Sequence, residues 1–327
     1  MKAIALYSGG LDSTLCIKII TNQGIAVTAL HFINPLSRYD KNKEEALSKK
    51  VKELGADFKS IYLGENFIEI LKNPKFGYGK NLNPCIDCKI LMLAIAKKLM
   101  PELGASFVIT GEVIAQRPKS QHRETLELIE KRSGLEGLIL RPLSAKLLKE
   151  TIPESKGWVK REALFDFNGR SRTPQIELAK MLGIEDYQWP AGGCLLTVPS
   201  FCSRVEDFLK SGETTPENLE LLKWGKHFRL SKDFKLIVGR NEEENKILSS
   251  FLKEKDISFE PKDVPGPFGL GRGVVSENIK NIANRIIARY ADNSGATIAI
   301  SIKDSHNNEE VVRVSGLEDK SVKELLI

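Results

Sequence analysis

The stretch Tyr7-Ser8-Gly9-Gly10-Leu11-Asp12-Ser13-Thr14 decides the fold class of this chain. It follows the apolar run Ala3-Ile4-Ala5-Leu6 and precedes apolar residues at helical spacing, Leu15, Ile17, Ile19 and Ile20. The order is strand, glycine turn, helix. Such a turn leaves backbone N–H groups and two hydroxyls at a helix N-terminus, where unpaired donors and the helix dipole favour a phosphate. Gly9 and Gly10 let the main chain turn tightly and approach a ligand without a Cβ in the way. Neither the Gly-Lys-Ser/Thr ending of a Walker loop nor the G-x-G-x-x-G of a dinucleotide turn is present.

Strand and helix signals alternate onward from this turn. Ile25–Leu30 reads as a second buried strand, Phe58–Leu63 as a third, Ser106–Thr110 as a fourth and Gly137–Leu140 as a fifth. Between them Lys43–Leu54 is helical, with Leu47, Val51 and Leu54 on one face and Gly55 as a C-cap. A loop over Asn73–Pro84 leads into a helix from about Cys85 to Met100. The alternation predicts an α/β fold, a doubly wound parallel sheet with helices on both faces. Ligands in such sheets bind beyond the carboxyl ends of the strands, where Ser8, His31 and Gly111 fall.

From Arg141 to Trp224 the chain reads as helical and loop-rich, and from about Phe228 a small α+β pattern begins. It comprises strand Phe234–Val238, helix Glu242–Lys253, a Pro/Gly-rich loop over Val264–Gly273, helix Glu277–Tyr290 and strand Ala296–Ile302. The expected domains are therefore 1–160 for nucleotide binding, 161–225 as an extension, and 226–327 as the α+β module.

Hydrophobic residues at 41% and charged residues at 28% are those of a soluble globular protein. No apolar run reaches the roughly 18 residues of a membrane span, and Met1-Lys2 leads straight into a strand, so a cytoplasmic location without membrane association is expected. A formal charge of +6 permits an anionic partner. Five cysteines, an odd number, argue against a disulfide framework and towards thiol chemistry or metal ligation. Nothing in the sequence indicates an oligomeric state.

Asn83-Pro84-Cys85-Ile86-Asp87-Cys88-Lys89 places two cysteines on one face of a helix start, where the N-terminus and Lys89 both favour the thiolate. A third cysteine sits on a glycine hinge in Pro190-Ala191-Gly192-Gly193-Cys194-Leu195. Structural zinc would want four ligands. Three thiolates with one open position suit an iron–sulfur cluster with a free iron, and a catalytic thiol pair without metal is the other reading. Cys16, within the first helix, reads as a core residue, and Cys202 as a bystander.

Ser8-Gly9-Gly10-Leu11-Asp12-Ser13 resembles the PP-loop of the ATP pyrophosphatase superfamily, whose adenine nucleotide alpha hydrolase-like members split ATP into AMP and pyrophosphate. The segment Val108–Gln121, with Thr110-Gly111-Glu112, Gln116 and Ser120-Gln121, resembles tRNA 4-thiouridine synthetases, in which a strand ends in Thr-Gly-Asp/Glu and Gln and Ser-Gln follow. Leu140-Arg141-Pro142-Leu143, before a helix starting near Lys146, is similar to that family's Arg-Pro-Leu segment. This resemblance covers residues 1–160, without the RNA-binding domains that precede the PP-loop in the bacterial synthetases. The C-x-x-C with a distant third cysteine resembles the iron–sulfur-dependent thiouridine synthetases. Gly192-Gly193-Cys194 is similar to the second catalytic cysteine of tRNA 2-thiouridylases. Phe234–Asn245, with Gly239-Arg240-Asn241 and Asn245, and the turn Pro265-Gly266-Pro267 resemble the RNA-binding module of NFACT proteins.

These resemblances imply an ATP-dependent tRNA sulfurtransferase, with 4-thiouridine favoured over 2-thiouridine as product. ATP and Mg2+ would be held by Ser8, Gly9, Gly10, Asp12 and Ser13, with His31, Gly111 and Gln116 beside the nucleotide. Asp12, Cys85, Cys88 and Cys194 would be catalytic. The three cysteines would hold a 4Fe-4S cluster or carry a persulfide, with sulfur from a cysteine desulfurase or sulfide. Arg240, Lys262 and Arg272, with Lys280, Arg285 and Arg289, offer a phosphate-binding surface for tRNA that positions without reading sequence. Competing readings are another AMP-forming PP-loop ligase and a non-catalytic RNA- or ribosome-binding factor. The cysteine triplet argues against the first and the intact PP-loop against the second.

Overall fold

A computed structural model describes residues 1–36, 41–185, 187, 194–292, 297–304, 306 and 308–327 of the protein. Its central strand, β1 (Lys2–Tyr7), is apolar on both faces. Ala3, Ala5 and Tyr7 join one core with Leu11 and Leu15, while Ile4 and Leu6 join another with Ile86, Leu93 and Ala96. Side chains alternate across a strand, so a strand apolar at every position must be covered on both sides. β2 (Ala26–Ile33), β3 (Asp57–Tyr62), β4 (Phe107–Thr110) and β5 (Ile139–Leu140) complete a parallel sheet of order β3-β2-β1-β4-β5. The strand order reverses between β1 and β4, and that switch point opens the crevice used for ligands in doubly wound sheets.

The helices of this unit are α1 (Leu11–Thr21), α2 (Lys41–Glu53), α3 (Gly64–Lys72), α4 (Cys85–Leu103), α5 (Arg123–Ser133), α6 (Ile152–Ser155) and α7 (Thr173–Met181). α1, α2 and α7 cover one face of the sheet, and α4 and α5 the other. The sequence reading missed α3 and α5 and expected a helix near Lys146. Only a 3-10 turn forms there, at Ala145–Leu147. Pro142 and Leu143 give their carbonyls to Phe165 and Phe167 at 2.9 and 2.8 Å, which ties the segment to a neighbouring strand-like stretch instead.

The chain divides into two compact units, Met1–Thr197 and Val198–Ile327. The extension expected over 161–225 is split between them: α7 packs in the first, and α8 (Pro199–Lys210) and α9 (Pro216–Leu221) belong to the second. The glycine hinge Pro190–Gly193 lies outside the described residues.

In the second unit β6 (Lys226–Ser231), β7 (Phe234–Val238), β8 (Ile257–Pro261), β9 (Gly269–Gly273), β10 (Thr297–Lys303) and β11 (Glu309–Ser315) form an antiparallel sheet of order β11-β10-β8-β9-β7-β6. α10 (Glu242–Ser250), α11 (Glu277–Tyr290) and α12 (Asp319–Leu325) accompany it. The expected loop over Val264–Gly273 is corrected here: its second half is β9, paired on both sides. Its glycines serve packing rather than turning. A Cβ on Gly271 would stand 2.6 Å from Phe234 and 2.8 Å from Phe259, and one on Gly269 would stand 2.5 Å from Ile287. Among the described residues no helix is long and apolar enough to cross a membrane.

Gly271→Ala should therefore destabilise the second unit by about 1–3 kcal/mol, the usual range for overpacking a core. Urea unfolding followed at that unit checks it, and unchanged stability would show that the two phenylalanines give way freely.

Candidate nucleotide and thiol site

Beyond the end of β1 the chain passes through Gly9 at φ +79° and Gly10 into α1. Only Gly9 needs the left-handed region; a Cβ on Gly10 would meet Ser8 Oγ at an ordinary 3.4 Å. α1 has no side-chain cap hydrogen bond at its N-cap, Gly10. No side chain of the N-cap therefore competes for the first-turn N–H groups, the donors that an anion at a helix start would use. The two serine hydroxyls lie 3.3 Å apart, and Ser13 Oγ donates to the Gly10 carbonyl at 2.9 Å.

Asp12 stands at the centre of a polar chain. Gln116 Nε2 donates to its Oδ2 at 3.0 Å, and Gln175 Nε2 donates to Gln116 Oε1 at 3.4 Å. Arg172 Nη2 lies 4.0 Å from the same Oδ2. Asp12 Oδ1 and Gln175 Oε1 are buried with no hydrogen-bond partner. Two orphaned acceptor oxygens in one network call for a donor or cation that the protein does not supply. Arg172 and Gln175 escaped the sequence reading, although Arg172-Thr173-Pro174 marks a helix start there.

Gly111 was read as leaving room for adenine or ribose. The group that approaches is the protein's own loop: a Cβ there would stand 2.7 Å from the Ser13 nitrogen and 2.8 Å from the Asp12 carbonyl carbon. The neighbouring Glu112 is buried. Thr110 Oγ1 and Arg141 Nε donate to its Oε2 at 3.0 and 3.1 Å, and Lys89 Nζ lies 3.7 Å from Oε1. Burial works to raise its pKa, but the cations of Lys89 and Arg141 and the Thr110 hydrogen bond hold it below the usual carboxylate range. Glu112 therefore fastens the end of β4 to Arg141 and, through Lys89, to the helix that bears the cysteines.

His31 ends its strand beside the loop. Its Nδ1–H donates to the Tyr7 carbonyl at 3.1 Å, and its ring stacks on Phe58 with centroids 6.1 Å apart. Burial lowers its pKa, despite the Tyr7 hydrogen bond, so the ring is neutral near pH 7 with Nε2 as an acceptor.

Cys85 and Cys88 open α4, and the loop before them is pinned from several sides. Asp87 accepts from the backbone N–H of Lys75 and Phe76 at 2.9 and 3.2 Å. Asn83 Nδ2 donates to Cys85 Sγ at 3.1 Å, and a Cβ on Gly79 would collide with the Asn83 amide at 2.2 Å. Asn81 Nδ2 donates to the Thr197 carbonyl at 2.7 Å, and Thr197 in turn donates to the Cys194 carbonyl. That link brings the exposed Cys194 into electrostatic reach of Cys88. The expectation of a thiolate fails at Cys88. Burial pushes its thiol up to about 12, outweighing Lys89, with Cys194, Cys85 and Asp87 adding to the rise. Cys16 is a core residue as expected; its thiol donates to the Thr110 carbonyl at 3.4 Å, and burial pushes its pKa well up. Cys202 is buried on α8.

In the second unit Asn241 caps α10 by accepting from Glu244 N at 2.9 Å. Asn245 Oδ1 accepts from Phe268 N at 3.0 Å, and a Cβ on Gly239 would stand 2.1 Å from that oxygen. The Gly-Arg-Asn run and the later asparagine thus lock a helix start onto the Pro-Gly-Pro turn. Of the expected phosphate-binding cations, Arg240 pairs with Glu244, Lys262 with Glu309, Lys280 with Glu277 and Glu310, and Arg289 with Asp319. The exposed pairs Lys262–Glu309 and Arg289–Asp319 are weak and exchange readily, while Glu244 is buried and holds Arg240 more firmly. Arg272 is spent differently: its guanidinium is committed to the buried Asp256, to Asn218 and to the Phe251 carbonyl.

Residues 1–156 match the family model described as thiamine biosynthesis protein (ThiI), and residues 225–326 match the NFACT protein RNA binding domain. Within the first unit, residues 1–156 are thus similar to that family's model. A tRNA sulfurtransferase of Desulfurococcus amylolyticus is 27% identical over 173 residues, which is 52% of this chain and 34% of that protein. A probable tRNA sulfurtransferase of Thermococcus kodakarensis is 29% identical over 152 residues, 43% of this chain and 36% of the relative. The tRNA-specific 2-thiouridylase MnmA of Helicobacter hepaticus is 32% identical over 122 residues, 34% of each chain. The chain thus spans about a third of the length of these relatives. Among solved structures, the C-terminal part of a fibronectin/fibrinogen-binding protein of Streptococcus suis aligns with 47% of this chain and 76% of that one at 14% identity. Its TM-score of 0.29 is too low to carry an argument.

The first unit places one exposed thiol near one strongly protonated thiol. At pH 8 iodoacetamide should label Cys194 and spare Cys88, and Cys88 labelling should still be rising above pH 10, read peptide by peptide in a mass spectrometer. Equal labelling of both at pH 8 would overturn the burial argument.

Proposed function

We propose that the protein is an ATP-dependent tRNA sulfurtransferase that adenylates a uridine carbonyl oxygen and replaces it with sulfur, 4-thiouridine before 2-thiouridine. The observation that carries this reading is the uncapped start of α1 beside Asp12 in a ThiI-family domain, with three cysteines gathered from α4 and the Cys194 segment. The match of residues 225–326 to an RNA-binding domain supports tRNA as the acceptor.

In this reading Ser8, Gly9, Gly10 and Ser13 take the pyrophosphate of ATP. His31 and Gln116 flank the nucleotide, and Gly111 sets the loop that holds it. Asp12 Oδ1, buried and without a partner, is the oxygen suited to Mg2+, which would neutralise phosphate charge when bound. The uridine oxygen attacks the α-phosphorus, pyrophosphate departs, and the oxygen becomes part of an AMP leaving group. Catalysis of that step is placement and charge neutralisation, and Arg172 adds positive charge beside Asp12.

Sulfur then displaces AMP. A 4Fe-4S cluster would need three ligands arranged around one iron–sulfur cube. Among the described residues no three His, Cys, Asp or Glu side chains stand close enough to share a metal ion. The thiols as they stand do not fit that group, and no step is derived through it. The exposed Cys194 instead accepts sulfane sulfur from a cysteine desulfurase, and the terminal sulfur of this persulfide attacks the adenylated carbon as AMP leaves. Cys85, held by Asn83, attacks Cys194 Sγ, so that a Cys85–Cys194 disulfide forms and the thiouridine sulfur is released. An external thiol reduces the disulfide for the next turnover.

Mass spectrometry of tRNA nucleosides from a deletion strain should show a lost thiouridine, restored by the wild-type chain and not by Asp12→Ala. Unchanged thionucleosides would contradict the proposal. An active preparation free of iron supports the thiol route, and activity that tracks iron content overturns it.

A further inference from the structure

A cavity of about 290 Å³ opens in the second unit between α8, α9 and the strands β6, β7 and β9. On one wall the Asp207 carboxylate receives Arg229 Nε and Nη2 at 2.7 Å each and Lys235 Nζ at 2.8 Å. One negative charge thus serves two cations. Lys232, from the turn joining β6 to β7, adds a third, and no acceptor meets its ammonium among the described residues.

Positive charge also accumulates behind the wall. Arg204 donates from Nη1 to the Leu222 carbonyl at 3.1 Å, while its Nε is buried without an acceptor. The Lys235 side chain is only 12% exposed. Burial lowers its pKa to about 8, and Arg229 and Arg204 repel it while Asp207 opposes the fall. Burial and Arg240 disfavour the charge on Arg204, and Glu244 opposes them. Cations crowded and half desolvated in this way are costly unless an anion completes them. Glu213 and Asp233 also border the opening, but both are exposed, where water and salt weaken their field.

We propose that this cavity is a phosphate-ester site, with Arg229, Lys232 and Lys235 as its donors. A guanidinium edge beside two ammonium groups suits a tetrahedral anion. The apolar floor at Phe208 and Leu221 leaves room for the group that the phosphate carries. The donors Arg229, Lys232 and Lys235 lie within residues 225–326, whereas Asp207, Phe208 and Leu221 lie outside them, so the cavity extends beyond the matched RNA-binding domain. The site does not depend on the thiolation chemistry. Its phosphate comes from an RNA chain or from a free phosphate ester, and the donors are the same for both.

The full chain titrated calorimetrically with inorganic phosphate at low ionic strength should show saturable binding. Lys235→Met should weaken it by about ten-fold and Lys232→Ala by a few-fold. Unchanged phosphate binding in both variants overturns the site, including the case in which phosphate binds only at the start of α1. If Lys235→Met does not fold, the exposed Lys232→Glu carries the same test. A labelled short single-stranded RNA then identifies the source: displacement by phosphate and weaker binding in the variants assign the site to RNA. RNA affinity unchanged, with phosphate binding lost, assigns it to a free ester. At saturating tRNA, AMP formation from ATP remains intact in these variants, which separates this inference from the sulfurtransferase reading.

Discussion

At Gly111 the carboxyl end of β4 lies so close to the first turn of α1 that a Cβ would stand 2.7 Å from the Ser13 nitrogen. This contact holds the loop of Ser8–Ser13 against the sheet at its topological switch point. The next residue, Glu112, has a buried carboxylate that joins Arg141 on one side and Lys89 on the other. Lys89 belongs to the helix that begins with Cys85 and Cys88. One strand end therefore fixes both the phosphate cradle and the helix that presents the thiols.

The sequence makes the regular parts of this arrangement legible because they repeat with a short period. The alternation of strand and helix, the double-sided burial of Ala3–Tyr7 and the glycine turn into α1 all follow from residues close together in the chain. Side chains that act across long separations escape such a reading. The sequence reading puts Gln116 beside the nucleotide but does not show that it reaches Asp12 from 104 positions away, and it misses Gln175, which reaches Gln116 from 59, altogether. Local composition also misleads where packing decides. Gly269 and Gly271 look like loop residues, yet they sit in a paired strand because Phe234, Phe259 and Ile287 fill the space of their missing side chains. Cys88 lies at a helix start beside Lys89, a thiolate setting by sequence, but burial outweighs both influences.

The second unit shows the same division between charge that is spent and charge that is available. Arg272 is consumed by Asp256 and its neighbours, so its conspicuous place in a Gly-rich run reflects structure. Arg240 is held by the buried Glu244, whereas Lys262 pairs with the more exposed Glu309. Arg229, Lys232 and Lys235 lacked any sequence signal, because their significance comes from sharing Asp207 around one cavity.

The central claim is that the uncapped start of α1 handles the triphosphate so that AMP is transferred to an RNA acceptor. Incubation of the purified chain with ATP radiolabelled at the α-phosphate and with unmodified tRNA tests it most directly. The account predicts AMP and pyrophosphate in equal amounts, formed only when tRNA is present. Formation of ADP and phosphate, or AMP release indifferent to tRNA, would contradict it.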